Sequence, residues 1–187
     1  MIRNSRNSYG WIAIVFHWLS AFVILGMFAL GLYMVDLSYY DPWYRDALTL
    51  HKSIGVLVAV LIILRLIWKY CNAQVGEIES HRKFAKLQSR LASFAQVAMY
   101  LFLFVLFASG YLISTADGRG IDVFNLFMLP SMGEIFDQQS DIAGLVHLYV
   151  AWTLISVVSI HALAALYHHF ILKDLTLKRM CIPQTEK

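Results

Sequence analysis

The sequence predicts an all-α membrane protein, a bundle of four transmembrane helices. Three observations carry this. Hydrophobic residues make up 59% of the chain and charged residues only 14%, where a soluble domain averages about 45–50% and about 25%. Four apolar runs are long enough to cross a bilayer, which takes about 20 residues. The linkers between them alternate in the sign of their charge. The 187 residues suffice for a single domain. Five Trp, ten Tyr and twelve Phe suit a chain anchored at lipid interfaces. Hydrocarbon cannot satisfy open backbone groups, so each run is expected to be a helix.

The first span covers about 11–35. It is too long for a cleavable leader and lacks a small-residue cleavage site, so it is read as part of the mature chain. The second covers about 47–68 and the third about 91–114. The fourth, about 142–172, exceeds the bilayer requirement by about ten residues and projects beyond the lipid or tilts. Before it lies a linker, about 115–141, whose apolar centre VFNLFMLP is expected to lie in the interface or fold over the helix ends. No internal repeat or low-complexity tract interrupts this order.

The N-terminus, the linker around 69–90 and the tail hold eleven basic residues and four acids, whereas the other two linkers hold two basic residues and eight acids. Short cytoplasmic loops carry the excess of Lys and Arg, so both termini are expected in the cytoplasm. Cys71 and Cys181 then face a reducing compartment, which argues against a disulfide, and their spacing matches no metal motif. The expected surroundings are membrane lipid, with no nucleic-acid partner.

The chemistry lies in the histidines. Of seven, His81 sits in the basic linker and reads as solvated, while His17, His51, His147, His161, His168 and His169 lie in or at the ends of spans. An ionisable group inside a membrane is costly and marks function by default. His147 and His161 are fourteen residues apart. At about 100° per residue that is nearly four whole turns, so both rings face one way, about 21 Å apart along the axis. Each needs a partner at its own depth. His17 enters helix one in the inner half and can meet His161; His51 enters helix two in the outer half and can meet His147. Two imidazoles per level, from different helices, is the layout that bis-imidazole haem ligation needs. Structural zinc would want four ligands at one level, and a histidine proton relay or plain interhelical hydrogen bonding remain alternatives.

Small residues allow a flat macrocycle to approach the backbone. Gly55 lies four residues after His51 and Gly144 three before His147, with Gly26, Gly31 and Gly110 in other spans. Arg65 shares the face of His51 at the inner level, where it would pair with a haem propionate or snorkel to the interface. His168, seven residues after His161, lies at the inner membrane edge as a hydrated residue or as a hydrogen-bond and proton donor to a quinone.

FHW at 16–18, HKSIG at 51–55, HALAALYHH at 161–169 and KDLTLKRM at 173–180 together resemble the bacterial cytochrome b561 family over essentially the whole chain. The resemblance implies a bundle in the inner membrane enclosing two haem b groups, an inner one on His17/His161 and an outer one on His51/His147. It implies a ubiquinone site near the inner haem with His168 taking part. It also implies an oxidoreductase that takes electrons from superoxide at the periplasmic side. The third helix departs from the pattern by carrying no histidine, with Gln96 its nearest polar candidate. The outer linkers are net acidic, which repels a superoxide anion, although Lys52, Arg45 or Arg119 would attract it locally. An electron-carrying subunit for a partner dehydrogenase or hydrogenase, docked on the apolar outer linker, is the first alternative. A non-redox membrane anchor is the second.

Overall fold

The computed structural model describes residues 1–76 and 84–184. The expectation for His81 lies outside the described residues. The elements run α1 (Trp11–Val35), α2 (Tyr44–Cys71), α3 (Ala85–Thr115), β1 (Ile121–Val123), β2 (Phe127–Leu129), α4 (Gln139–Phe170) and α5 (Thr176–Arg179). Among the described residues, α1 to α4 are the four helices long and apolar enough to cross a membrane. The fold is therefore all-α apart from one small hairpin.

Three helices differ in extent from their apolar runs. α2 begins with the polar turn Tyr44–Arg45–Asp46, where Asp46 complements the positive helix end. α3 begins six residues before the apolar run, at Ala85. α4 starts three residues early, at Gln139, and stops at Phe170. Its end is set by the backbone: Lys173 is left-handed (φ 52°), and the Asp174 N–H reaches back to the His168 carbonyl at 3.1 Å. Hydropathy tracks lipid contact, whereas helix ends follow backbone hydrogen bonding, so the two need not coincide.

The chain divides into two compact units that the long helices pass through. The first comprises Met1–Ala21, Leu61–Met99 and Ser156–Lys187. Its non-helical parts are stitched together: Gly76 N–H donates to the Arg6 carbonyl at 2.8 Å, Arg179 donates to the Gly76 carbonyl at 3.1 Å, and the Gln184 N–H donates to the Ser8 hydroxyl at 2.7 Å. The Trp18 indole N–H donates to the Met180 carbonyl at 2.7 Å, which ties the tail to α1.

The second unit comprises Phe22–Val60 and Tyr100–Ile155. It holds the antiparallel hairpin with Ile121 opposite Leu129, Asp122 opposite Met128 and Val123 opposite Phe127. Positive φ at Phe124 (52°) and Asn125 (57°) makes the tight turn, closed by the Leu126 N–H on the Val123 carbonyl at 2.9 Å. A bulky residue at such φ is strained. The Ser53 hydroxyl of α2 helps to hold it, accepting the Phe124 N–H (3.3 Å) and donating to the Asp122 carbonyl (3.2 Å). The linker before α4 therefore folds onto a helix, one of the two outcomes expected, as a hairpin that its apolar sequence did not announce. Gln139 pins the rest: its side-chain carbonyl accepts the Ile135 N–H at 2.7 Å and its amide donates to the Leu112 carbonyl at 2.9 Å.

Large apolar side chains such as Phe22, Phe94, Phe104 and Leu163 are exposed, as a lipid-facing surface requires, while the buried positions hold apolar residues such as Ile14, Ile62, Leu103 and Leu154 together with small polar ones such as Ser20, Ser53, Ser109 and Thr115.

Candidate functional site

Each unit contains one histidine pair drawn from two helices. In the first unit, the rings of His17 (α1) and His161 (α4) stand with centroids 6.5 Å apart at 61°. In the second, His51 (α2) and His147 (α4) stand 6.2 Å apart at 67°. These are the pairings that helix periodicity predicts. Among the described residues no three His, Cys, Asp or Glu side chains gather as a metal site.

The spacing tests whether haem iron fits. A metal–imidazole bond is about 2 Å, and a ring centre lies about 1.1 Å behind its ligating nitrogen. Two imidazoles on opposite sides of one ion therefore place their centroids about 6 Å apart. Both pairs match. A direct hydrogen bond between the rings would need them about 1 Å closer. His51 Nδ1 is buried with no hydrogen-bond partner among the described residues.

Glycines line both rings of the second pair. A Cβ on Gly110 would come within 3.3 Å of His147 Cε1, and one on Gly31 within 3.5 Å of His51 Cε1. At Gly55 and Gly144, which sequence spacing favours as room for a macrocycle, a Cβ would meet only the Met27 methyl at 3.7 Å and nothing within 4 Å, respectively. Gly31 and Gly110 come from the neighbouring helices, α1 and α3.

The third helix contributes Ser109. Its hydroxyl lies 3.0 Å from His147 Nδ1 and donates to the Val105 carbonyl at 2.7 Å. Gln96, the residue expected to act from this helix, is exposed. Ser20 plays a comparable part in the first unit. Its hydroxyl donates to the Phe16 carbonyl at 2.7 Å and accepts from Arg65 at 2.6 Å. The other Arg65 nitrogen lies 3.0 Å from His17 Nδ1. Arg65 is thus at the level of the His17/His161 pair, as its position in α2 requires. A guanidinium can only donate, so this contact needs a lone pair on Nδ1. A neutral His17 that ligates through Nε2 carries its proton on Nδ1, and Arg65 must then release it. The Trp18 ring meets His17 edge-on, 5.4 Å away.

His168 closes the last turn of α4. Its Nδ1 is 2.6 Å from an Asp174 carboxylate oxygen, and both side chains are largely buried. Burial alone would raise the Asp174 carboxyl, but the Thr176 side chain and N–H, together with His168, hold it below the usual carboxylate range. The KDLTL stretch thus acts on the histidine before it. His169 packs its ring on Phe170 instead. Of the three basic residues expected to attract an anion, Arg119 is paired with Asp117 at 2.5 Å and Arg45 donates to the Tyr39 hydroxyl at 3.4 Å.

Comparison with known proteins matches residues 8–181 to the family model described as "Prokaryotic cytochrome b561". The chain is 46% identical over 177 residues to "Cytochrome b561 homolog 2" of Escherichia coli (strain K12), covering 95% of this chain and 93% of that protein. It is 30% identical over 178 residues to "Probable superoxide oxidase CybB" of Yersinia pestis, covering 94% and 96%.

Proposed function

The chain belongs to the prokaryotic cytochrome b561 family, membrane electron-transfer proteins that bind haem b, and on that premise we propose that it is a di-haem superoxide:ubiquinone oxidoreductase of the inner membrane. In this reading His17 and His161 hold one haem, His51 and His147 hold the other, and both termini face the cytoplasm. The observation that carries it is the pair of ring separations, 6.5 and 6.2 Å, each the span of two imidazoles about one iron.

Haem, when bound, supplies one-electron carriage. His17, His161, His51 and His147 would hold the two haems with two imidazoles each, and the chemistry supplied there would be outer-sphere electron transfer. Two superoxide anions give up one electron each and leave as O2. Ubiquinone takes the two electrons and two protons and becomes ubiquinol. Arg65, beside His17 in the first unit, would supply the positive charge that neutralises a haem carboxylate. His168 delivers a proton to the quinone oxygen, and Asp174 holds its ring. Superoxide as donor is supported by the name of the 30% identical relative. Lys52, next to His51 in the chain, supplies the local positive charge that the acidic linkers lack.

The test is stopped-flow mixing of superoxide with purified protein, with and without ubiquinone. Superoxide-dependent quinol formation at two superoxide per quinol supports the assignment. No reaction in haem-loaded protein contradicts it. A second reading, an electron-carrying subunit for a partner dehydrogenase or hydrogenase, is favoured by one observation. The hairpin and the turn after it expose Leu126, Met128 and Met132 at 78, 67 and 74%, an apolar surface suited to docking. A copurifying redox partner would support that reading.

A further inference from the structure

Ser109 is a buried polar side chain, and it belongs to α3, the long helix that carries no histidine. Its hydroxyl has a single proton, and the hydroxyl donates to the Val105 carbonyl at 2.7 Å. The same oxygen is 3.0 Å from His147 Nδ1. With its proton on a backbone carbonyl, the hydroxyl is free to accept from the ring. If Nε2 of His147 holds haem, Nδ1 carries the proton and Ser109 stands at 3.0 Å to accept it. The next residue, Gly110, brings the α3 backbone close enough that a Cβ would press on the same ring at 3.3 Å. Ser109 offers an acceptor to one imidazole and Gly110 lets the backbone approach it. The opposite ring is approached by Gly31 in the same way but has no acceptor: the Nδ1 of His51 is buried without a partner among the described residues.

We propose that Ser109 is a positioning residue that selects Nε2 of His147 as the haem-ligating nitrogen and makes the two axial ligands of that haem electronically unequal. The proposal rests on His147 being a haem ligand. A hydrogen bond accepted from Nδ1–H pushes electron density onto Nε2, makes it the more basic ligand and favours ferric iron. His147 is then the strong ligand of the pair and His51 the weak one. Removing the acceptor shifts the haem toward its reduced form at any fixed potential.

Two near-isosteric substitutions isolate the hydroxyl: Ser109→Thr keeps it and Ser109→Val removes it. In a redox titration of the purified, haem-loaded protein, Ser109→Val is expected to raise the reduced-to-oxidised ratio of the His51/His147 haem roughly three- to tenfold, as the loss of one hydrogen bond implies. Ser109→Thr should stay near the parent, and the other haem should be unmoved in both. Equal shifts in the two variants would assign the effect to packing and overturn the proposal. No shift in either would mean that the Leu106 carbonyl, which faces the same ring, holds the proton alone, and would overturn it too. A measurement on the unaltered protein guards against variants that fail to assemble. In the reduced, diamagnetic state, spectra with 15N-labelled histidine must find the His147 proton on Nδ1, and a proton on Nε2 overturns the assignment. His147→Ala separates the layers. If that variant retains both haems, the ligand reading itself fails. If it loses one haem while Ser109→Val behaves like the parent, only the role of Ser109 fails.

Discussion

At the scale of single residues, the proposed ligand pairs make different demands on the two units. His147→Ala should lose the haem shared with His51, and His161→Ala the haem shared with His17, each leaving about one haem per chain. Pyridine haemochrome quantification reads this directly, and equal loss of both haems in each variant would contradict the pairing. His168→Ala should keep both haems and slow quinone reduction about 100-fold, the usual contribution of a positioned proton donor. Asp174→Asn should slow it less and also change the acid side of the stability profile. Asp174 is held below the usual carboxylate range in the fold. Its contribution is therefore complete above the ordinary carboxylate value and lost as pH falls through the lowered one. Melting curves between neutral and acid pH should show a smaller acid loss in the variant. The pairing of histidines was legible in the sequence because a spacing of fourteen residues fixes their direction on a helix. Ser109 was not legible, because serine in a span is ordinary and its target lies on another helix. Asp174 was quoted only as part of a tail motif; its 2.6 Å contact with His168 depends on the left-handed turn at Lys173.

At the scale of elements, the site depends on how closely α3 and α1 approach the rings. Gly110→Ala would push a methyl to 3.3 Å from the His147 ring, inside ordinary contact, whereas Gly31→Ala would stand at an ordinary 3.5 Å from His51. The first should reduce occupancy of that haem and the second should be tolerated, as haem-to-protein absorbance ratios would show. The hairpin is tested through Ser53. Ser53→Ala leaves the Phe124 N–H without the serine hydroxyl and should destabilise the hairpin by about 0.5–1.5 kcal/mol, the net worth of one hydrogen bond. Amide exchange at Phe124 and Asn125 should quicken while α2 stays protected. This element was hidden in the sequence for a physical reason. Its turn places Phe at a positive φ, where turn chemistry normally uses Gly, Asn or Asp. The helix cores were legible from hydropathy, but their ends were not: the polar first turn of α2 and the Gln139 start of α4 are set by hydrogen bonds that hydropathy does not see.

At the scale of the molecule, the exposed large apolar side chains and the four apolar helices make a multi-pass membrane protein, and charge supplies its proposed orientation. Among the described residues, the basic residues at 3, 6, 69, 86, 90, 173, 178 and 179 fall in the first unit, and the eight acids of the other two linkers fall in the second. Cys71 and Cys181 are both exposed and free and belong to the first unit. A membrane-impermeant maleimide should label them in inverted vesicles and not in right-side-out ones; the opposite result would reverse the topology. The central claim is that imidazoles from separate helices hold two haem irons in one chain. Quantifying iron and haem b per polypeptide in fully loaded protein, with the reduced-minus-oxidised spectrum, tests it most directly. Two equivalents of each and low-spin b-type bands are expected. One equivalent, or none, would contradict it.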